Sequence, residues 1–579
     1  MCGIIGYTGF RKASDVILRG LKTLEYRGYD SAGIAVSGPK GLEIRKGAGK
    51  VAEVSESLLF SSLEGNAGIG HTRWATHGKV CNENAHPHAN CSKSIALVHN
   101  GVIENYLSIK EALSAEGHKF ESETDSEVVA HLIEENMKNM PIERAFQESI
   151  KALKGSYAIV MAARGENRIF AARKNSPLIA GIGKGEFILA SDITAALPYT
   201  KKIVPVDEER IVIASEKEIA FYDYSGKEAN PNYMEVDWTA ETAEKGGFPH
   251  FMLKEIYEQK LALPESLAAD VKDANALIEK AKNIHIIACG TSYHAGLVLS
   301  ILLEKQTGKF AKAFIASEYP FIANPEKGTL ALAISQSGET ADTMQAARFA
   351  KAAGAKLLAL TNVVGSSLSR LADSTVYLNA GPEVSVAATK TFSSQLALAY
   401  RLAYGSEPWA KEIPRAVEKA LAQEQSVKSL SSRFKDANDV FFIGRGLSYP
   451  IAMEGALKLK ELSYIHAEAY PGGELKHGPL SLIQPGTLVV ALAPSDESLP
   501  KMHGNIKEVK ARGAFVIALT DNPEITKEVD FALHVEKSRP ELYPFAMLPL
   551  LQMLAYYAST SRGIDPDRPR NLAKSVTVE

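Results

Sequence analysis

Cysteine is scarce in this sequence, which has only four in 579 residues: Cys2, Cys81, Cys91 and Cys289. So few cysteines do not form the disulfide framework of a small secreted protein, and no two of them have the spacing of a metal-binding motif. We therefore expect a reducing, cytoplasmic environment and no metal. The first ten residues, MCGIIGYTGF, lack a basic segment followed by an apolar one, so we expect no signal peptide.

Neither sign of charge is in excess, since 65 Lys and Arg face 68 Asp and Glu. This balance excludes a bulk electrostatic attraction to nucleic acid or to an anionic membrane. Long hydrophobic runs are also missing, because the longest apolar stretch, 545–558, is too short and too interrupted to span a bilayer. The length predicts about three or four globular domains.

Short β-patterned runs with helices grouped between them fill the first 230 residues or so. The run SYAIVMAARGENRIFAARKNSPLIA turns at 165–167, which is typical of an antiparallel hairpin. Helical patterns cover about 14–25, 104–116, 125–138 and 142–153. We therefore predict an α+β domain of stacked antiparallel sheets with flanking helices. The polar stretch 227–250, with two prolines and a Gly-Gly pair, is typical of an interdomain connector.

Apolar strands alternate with helices in the rest of the chain, which indicates parallel sheets buried on both faces. IHIIACGTSYHAG (284–296) matches VFFIGRGLSYPIA (440–452) in its strand, glycine turn, serine and helix start, so we predict two tandem α/β modules. The predicted domains are a first domain at 2–237, a linker at 238–270, modules at 271–415 and 416–560, and a C-terminal tail at 561–579.

Cys2 becomes the N-terminal residue if the initiator methionine is removed. Its α-amine, with a reference pKa of about 7.7–8.0, is then placed to act as the base for its own thiol. A cysteine at position 2 is by itself better explained as a small apolar residue, since many sequences begin Met-Cys by chance. Downstream clusters favour catalysis: GHTRWATHG (70–78), NENAHPH (82–88), HNGVIEN (99–105) and SETDSE (122–127).

These clusters supply what hydrolysis of a glutamine amide requires. Arg73 offers a planar fork for the α-carboxylate, and Asp125 offers a negative partner for the α-ammonium group. Asn100 and Gly101 offer a side-chain amide and a backbone N–H to an oxyanion. Each also has an ordinary interpretation: Arg73 as a surface charge, Asp125 as an acid at a helix start, and Asn100-Gly101 as a hairpin turn.

These motifs, together with MCGIIGY and LEYRGYDSAG (24–33), resemble the class II glutamine amidotransferases, which have an N-terminal nucleophile. The resemblance implies that Cys2 forms a γ-glutamyl thioester and that Asn100 and Gly101 form the oxyanion hole. It implies a glutamine-binding set of Arg27, Arg73, Thr76, His77 and Asp125. Trp74 would control an ammonia path, although core packing is the simpler interpretation of a tryptophan.

The segment SQSGETADT (335–343) follows an apolar strand and precedes a helix, so it offers hydroxyls and N–H groups to an anion. It has no lysine and is not a nucleotide-binding P-loop. A simple helix cap is the alternative, but the four hydroxyl residues exceed what a cap requires. We predict a phosphomonoester site with Ser335, Ser337 and Thr340, joined by Ser292 from the earlier turn.

The second half resembles two tandem sugar-isomerase (SIS) domains, on EGALKLKELSYIHAEAYPGGELKHGP (454–479) and RPRNLAKSVTVE (568–579). Lys458 and Glu461 lie three residues apart on a helical face, where a surface ion pair, with Glu454 as partner, is the alternative. The resemblance implies that Glu461 moves a proton between C1 and C2 and that Lys458 supports it. His477 would open the sugar ring, and Lys574 would meet the C2 carbonyl. Gln336 and Val386 would also contact the sugar phosphate.

The two resemblances together imply an enzyme that uses glutamine and fructose 6-phosphate, without a cofactor, as a homodimer formed through the SIS domains. Ala388, in EVSVAATKT, stands where this family usually has a sugar-contacting serine. Two alternatives therefore stay open, namely another ketose phosphate as acceptor and a non-enzymatic sugar-phosphate sensor.

Overall fold

The computed structural model describes residues 2–74, 78–236, 238, 245–405 and 411–577. Contacts between residues divide the chain into two compact units. The first contains residues 1–243, 339–341 and 573–579, and the second contains residues 244–338 and 342–572.

The first unit contains two antiparallel sheets and five α-helices among its described residues. The strands are β1 (Gly3–Gly9), β2 (Ser31–Gly38), β3 (Gly41–Ala48), β4 (Ala67–Arg73), β5 (His88–Ala89), β6 (Ile95–Ile103), β7 (Gly155–Ala163), β8 (Ile169–Lys174), β9 (Ile179–Ile182), β10 (Glu186–Ala190), β11 (Lys202–Pro205), β12 (Arg210–Ala214), β13 (Ile219–Asp223) and β14 (Met234–Glu235). The helices are α1 (Ala13–Leu24), α2 (Val51–Ser57), α3 (Tyr106–Ala115), α4 (Glu127–Met137) and α5 (Ile142–Ala152).

The two sheets stack face to face. The larger has the order β14-β11-β9-β10-β1-β4-β2-β3, and the smaller has the order β13-β12-β8-β7-β6-β5. Apolar residues from both sheets, such as Ile69, Val160 and Leu189, form one buried cluster between them. Helix α1 covers the outer face of the larger sheet, and α4 and α5 cover that of the smaller one. The prediction of stacked antiparallel sheets with flanking helices is confirmed, including the β7–β8 hairpin.

Asn100 and Gly101 do not form a hairpin turn, so that interpretation of the sequence is wrong. Both lie inside β6, where Asn100 pairs with Ala158 and Gly101 with Tyr157 on β7. Gly101 has a φ of 125°, and a Cβ atom on it would lie 1.9 Å from the Ser156 carbonyl oxygen. The position therefore requires glycine for both its conformation and its close contact with the neighbouring strand.

The second unit is built from parallel strands and from helices α6 to α18. The strands are β15 (Asn283–Ala288), β16 (Ala311–Ile315), β17 (Thr329–Ser335), β18 (Lys356–Thr361), β19 (Ser374–Tyr377), β20 (Asp439–Gly444), β21 (His466–Pro471), β22 (Leu488–Leu492), β23 (Phe515–Thr520) and β24 (Phe531–His534). The helices are α6 (Phe251–Leu267), α7 (Lys272–Lys280), α8 (Gly290–Thr307), α9 (Tyr319–Ile322), α10 (Ala341–Ala352), α11 (Ser367–Leu371), α12 (Lys390–Tyr404), α13 (Glu412–Leu421), α14 (Glu424–Ser431), α15 (Ser448–Ser463), α16 (Leu499–Lys510), α17 (Pro523–Glu528) and α18 (Tyr543–Ser561).

The strand orders show the internal duplication directly. The two sheets run β16-β15-β17-β18-β19 and β21-β20-β22-β23-β24, so equivalent strands occupy equivalent places. One large apolar core lies between the two sheets and includes most of α12 and α18. The apolar stretch 545–558 is thus the buried interior of α18. Among the residues that the structure describes, no helix is long and apolar enough to cross a membrane.

Three of the predicted connecting segments and boundaries fall within regular structure. Part of the predicted connector pairs as β14 with β11 of the larger sheet. Within the predicted linker, residues 251–267 form α6, whose buried side chains belong to the core of the second unit. The predicted boundary between the two modules falls inside α13. Polar composition does not distinguish a linker from these elements, because a short edge strand and an amphipathic helix both expose polar residues.

The contact of Gly101 with β7 predicts how its replacement affects stability. We expect Gly101→Ala to lower the free energy of unfolding by more than about 2 kcal/mol, because a methyl group cannot fit against the Ser156 carbonyl. Gly165→Ala is the matched control, since Gly165 also has positive φ, 75°, but its Cβ would meet nothing within 4 Å. That variant should lose about 1 kcal/mol. Urea denaturation of both full-length variants checks this, and equal losses would contradict it.

Candidate active site

Cys2 is held at the end of a central strand of the larger sheet. The next residue, Gly3, begins β1, pairs with Thr72 on β4 and donates its N–H to the Thr72 hydroxyl at 3.1 Å. The Asn100 side-chain amide donates to the Cys2 carbonyl oxygen at 2.8 Å. Strand pairing and this side-chain bond fix the position of a residue that would otherwise be a frayed terminus.

The Cys2 thiol lies against the backbone of Trp74. The Trp74 N–H donates to Cys2 Sγ at 3.3 Å, and the thiol is 3.5 Å from the Trp74 carbonyl oxygen. Burial raises the pKa of the Cys2 thiol, whereas the Trp74 N–H and the positive charge of Arg73 act to lower it. A group that takes the thiol proton is therefore needed before Cys2 can attack at neutral pH.

The segment around Arg27 packs directly on the strand that carries Arg73. A Cβ atom on Gly28 would lie 2.7 Å from the Arg73 carbonyl carbon, so only glycine allows this approach. Arg27 itself is buried, forms an ion pair with Asp192 and donates to the Tyr26 hydroxyl at 3.2 Å. Arg73 is also buried, so it is not the exposed surface charge of the ordinary interpretation.

Asp125 lies beside the strand that carries Asn100 and Gly101. Its Oδ2 atom accepts the backbone N–H of Ile103, the last residue of β6, at 2.7 Å. The carboxylate is buried and lies two residues before the start of α4. The structure thus brings Cys2, Asn100 and Asp125 to one region of the unit. Thr76 and His77 lie outside the described residues.

Buried histidines behind Cys2 were not identified from the sequence. Burial lowers the pKa of His71 to about 3, so its ring is neutral at pH 7. His71 Nε2 lies 3.0 Å from Asn100 Oδ1, so it donates there and the amide nitrogen of Asn100 points to Cys2. His86 stacks on His71 with ring centroids 4.2 Å apart. The sequence feature that could have indicated a buried histidine cluster is the pair of histidines in NENAHPH (82–88).

The SQSGET segment connects β17 to α10, as predicted. Gly338 has a φ of 65° and donates its N–H to the Ser335 hydroxyl at 3.0 Å, so Ser335 helps to shape the turn. Asn362 donates its backbone N–H to the Gln336 carbonyl at 3.0 Å. Ser335 and Ser337 are buried, while Gln336 and Thr340 are half-buried.

Lys458 belongs to a buried polar network that joins α15 to the start of α8. Its ammonium lies 2.6 Å from Glu461 Oε2 and 3.5 Å from Glu454 Oε1, and it donates to the Thr291 hydroxyl at 3.1 Å. The alternative of a surface ion pair is wrong, because the side chains of Lys458 and Glu454 are 1% and 0% exposed. Ser292, the neighbour of Thr291, accepts a bond from Gln395 at 2.9 Å.

Charges around Lys458 set its protonation. Burial alone would lower the pKa of Lys458, but the carboxylates of Glu461 and Glu454 raise it above its ordinary value. The side chain is therefore an ammonium at neutral pH. Glu454, which the sequence offered only as a surface partner, also lies 2.8 Å from His294 Nδ1, so it connects the two modules.

The remaining predicted residues are more scattered. Val386 is buried and Ala388 half-buried in the segment before α12, and the Glu383 carboxylate of that segment accepts the Thr389 and Thr391 N–H groups. His477 is exposed at the end of a 3-10 helix, Gly472–His477. Lys574 is half-buried and belongs to the first unit with the rest of residues 573–579.

Family models match both halves of the chain. A glutamine amidotransferase domain matches residues 71–198, and a SIS domain matches twice, at 277–404 and 433–562. Proteins named glutamine–fructose-6-phosphate aminotransferase (isomerising) are similar along the whole chain. Those from Thermococcus kodakarensis and Pyrococcus horikoshii are 46% and 47% identical over 602 residues, with 100% of both chains covered.

A solved structure agrees for the second half. The C-terminal domain of glucosamine-fructose-6-phosphate aminotransferase from Francisella tularensis is 38% identical, with a TM-score of 0.53. The match covers 56% of this chain and 99% of that one. The motifs around Cys2, the duplicated parallel modules and the full-length similarity lead to one conclusion. The chain belongs to the family of glutamine–fructose-6-phosphate aminotransferases (isomerising).

Proposed function

We propose that this enzyme converts glutamine and fructose 6-phosphate into glutamate and glucosamine 6-phosphate. The observation that carries the proposal is the contact of the Cys2 thiol with the Trp74 N–H, beside Asn100, in a chain that also buries Lys458 against Glu461. The first arrangement suits release of ammonia from glutamine. The second suits proton transfer on a sugar phosphate.

In the glutamine reaction, Cys2 is the nucleophile once the initiator methionine is removed. Its α-amine takes the thiol proton, and the thiolate attacks the side-chain amide carbon of glutamine. The second N–H of the Asn100 amide and the Gly101 N–H stabilise the oxyanion. The protonated α-amine returns this proton to the amide nitrogen, which leaves as ammonia, and water then hydrolyses the γ-glutamyl thioester to glutamate.

The glutamine molecule is held by its α-groups. A buried arginine can bind the α-carboxylate with two parallel hydrogen bonds, and a buried carboxylate can pair with the α-ammonium. Arg73 and Asp125 have this chemistry and this burial. The proposed glutamine-binding residues are Arg27, Arg73, Thr76, His77 and Asp125. Trp74, the residue after Arg73, is proposed to gate the passage of ammonia.

The sugar phosphate is proposed to bind in the first SIS module. The turn after β17 offers hydroxyls and N–H groups to the phosphate, as turns at helix starts commonly do. The proposed binding residues are Ser292, Ser335, Gln336, Ser337, Thr340 and Val386. The isomerisation is assigned to Glu461, which moves the proton between C1 and C2, while the Lys458 ammonium stabilises the negative charge that develops.

Two further residues have proposed roles in the sugar reaction. His477 assists ring opening by proton transfer, and Lys574 approaches the open-chain C2 carbonyl with its amine. We propose that residues 2–237 form the glutaminase domain and 561–579 the C-terminal tail. The predicted SIS limits of 271–415 and 416–560 are corrected, because α6, from the predicted linker at 238–270, packs in the core of the second unit and α13 spans the limit between the modules. We also propose a cytoplasmic homodimer formed through the SIS domains.

Ala388 supports one alternative acceptor. The half-buried methyl group supplies no hydroxyl to a sugar, and it lies two residues from Val386 in the proposed sugar site. Another ketose phosphate is therefore the second candidate. A comparison of amination rates on fructose 6-phosphate and other ketose 6-phosphates decides between them. A higher kcat/KM for another ketose would overturn the proposed acceptor.

Replacement of Cys2 tests the glutamine reaction. We expect Cys2→Ala to lower glutamine-dependent formation of glucosamine 6-phosphate by at least about 1,000-fold, because the nucleophile is lost. Isomerisation of fructose 6-phosphate should continue, since it uses other residues. Cys81→Ser, another half-buried cysteine of the same unit, is the control and should keep both activities. If Cys2→Ala still releases ammonia from glutamine, the assignment is wrong.

Replacement of Glu461 tests the sugar reaction. We expect Glu461→Gln to lower amino-sugar formation by about 100- to 10,000-fold, the usual contribution of a general acid or base. Hydrolysis of glutamine should continue, which separates this variant from Cys2→Ala. Glu418→Gln makes the same charge change at an exposed position of α13 and should have no effect. Full amino-sugar formation by Glu461→Gln would exclude Glu461 as the proton carrier.

A further inference from the structure

Four potential metal ligands from three separate segments meet on the first unit. Cys91 lies in the turn between β5 and β6, and His118 lies after α3. His131 and Glu134 lie one turn apart on α4. One ligand atom from each of the four lies within 4.8 Å of all the others. None of the four has a part in the proposed reactions.

The distances between these ligand atoms are short and similar. His118 Nδ1 is 3.2 Å from His131 Nδ1, and Cys91 Sγ is 3.7 Å and 3.5 Å from these two nitrogens. Glu134 Oε2 is 3.4 Å from His118 Nδ1 and 3.7 Å from His131 Nδ1. Five of the six distances between the four atoms therefore agree within 0.5 Å, and the sixth, from Cys91 Sγ to Glu134 Oε2, is at most 4.8 Å.

The dimensions of this cluster match those around a zinc ion. With Zn–N of about 2.0–2.1 Å, Zn–S of about 2.3 Å and tetrahedral angles, ligand atoms lie about 3.3–3.6 Å apart. The five distances above, 3.2–3.7 Å, are close to these values. Cysteine sulfur, imidazole nitrogen and carboxylate oxygen are all ligands that zinc takes, and four ligands are its usual number in a structural site.

Carboxylates orient both histidines from behind. His118 Nε2 lies 2.9 Å from Glu135 Oε2, and His131 Nε2 lies 3.4 Å from Glu127 Oε1. An ionised carboxylate can only accept a hydrogen bond, so each Nε2 carries the hydrogen. The Nδ1 atoms of two neutral rings then present lone pairs to each other. Carboxylates behind histidines are the usual second layer around zinc.

Something positive must lie between two nitrogen lone pairs 3.2 Å apart, because bare acceptors repel each other. A proton on one Nδ1 atom would make that ring an imidazolium and is the rival to a metal ion. The proton accounts for one contact only. It leaves unexplained why a thiol and a carboxylate oxygen each lie within 3.7 Å of both ring nitrogens.

We propose that Cys91, His118, His131 and Glu134 bind one structural zinc ion. The four protein ligands fill a tetrahedral coordination shell, which leaves no open position for substrate. On binding, the Cys91 thiol loses its proton to solvent and coordinates as the thiolate. We expected no metal because no two cysteines have the spacing of a metal-binding motif. This site instead combines one cysteine with histidines that are distant in sequence.

The site stabilises the segment that carries Asp125. Glu127, behind His131, also accepts the N–H groups of Glu121 and Ser122, at 2.8 Å and 2.7 Å. Zinc at His131 would therefore fix the loop 118–126 as well as α4. This role does not depend on the proposed reactions, because the ion would be present whatever substrate the enzyme uses.

Metal analysis of the full-length protein tests the proposal. All proteins carry Cys2→Ala, which removes the thiol of the proposed glutaminase site as a second place for zinc to bind. We expect about one zinc per chain after dialysis, and the same content with Cys81→Ser. Cys91→Ser should lose most of it. The Cys2→Ala protein is the parent. Zinc content that is unchanged in Cys91→Ser, or absent from both the parent and its Cys81→Ser derivative, would overturn the proposal in favour of the bridging proton.

Cobalt substitution gives a second measurement that does not require the Cys91 variant to fold. Chelation followed by Co²⁺ should produce a thiolate-to-cobalt absorption band in the near ultraviolet in the parent and in Cys81→Ser. Chelation should also lower the Tm, and Zn²⁺ but not Mg²⁺ should restore it, because Mg²⁺ prefers oxygen ligands. A chelated protein with unchanged Tm and no cobalt band would contradict a structural metal.

Discussion

The proposed glutaminase site depends on holding the chain terminus still. A nucleophile at residue 2 has no backbone before it to limit its motion, and termini usually fray. Here the adjacent residues enter β1, which has a paired strand on each side, β4 and β10. The Asn100 amide then holds the Cys2 carbonyl. These bonds restrain the terminus, so the reacting atoms can be positioned closely.

The same constraint explains the crowding of glycines around the site. Gly28 lets the segment of Arg27 approach the backbone of Arg73, and Gly101 lets β6 lie close to the Ser156 carbonyl of β7. The buried neutral histidines behind Asn100 complete this arrangement, since His71 orients the amide by hydrogen bonding to its oxygen.

A different constraint applies in the second unit, where a charge is buried between the two SIS modules. An isolated ammonium in this position would be costly, but Lys458 has two carboxylates and a hydroxyl as neighbours. Removing one partner would leave uncompensated charge, so the network requires α8 and α15 to pack together. It also keeps Lys458 protonated, which suits electrostatic support of Glu461 rather than attack on a carbonyl.

The sheets, the duplication and the family of this protein were predictable because each produces a local pattern in the sequence. Apolar runs separated by helices predicted the parallel sheets, and matching turns at 284–296 and 440–452 predicted the duplication that the strand orders confirm. The motifs around Cys2, Arg73 and Asn100 predicted the family. Composition was a weaker guide between domains, where α6 was predicted as part of a linker although its apolar face belongs to a core.

The sequence by itself determined the fold class, the family and the residue types needed for each reaction, because periodicity and short motifs are local properties. The tertiary structure decided which distant residues meet. It placed Asn100 within a strand instead of a turn and buried Glu454 with Lys458. It also brought Cys91 to His118 and His131. Contacts between residues far apart in sequence depend on strand register and helix packing, which no local pattern records.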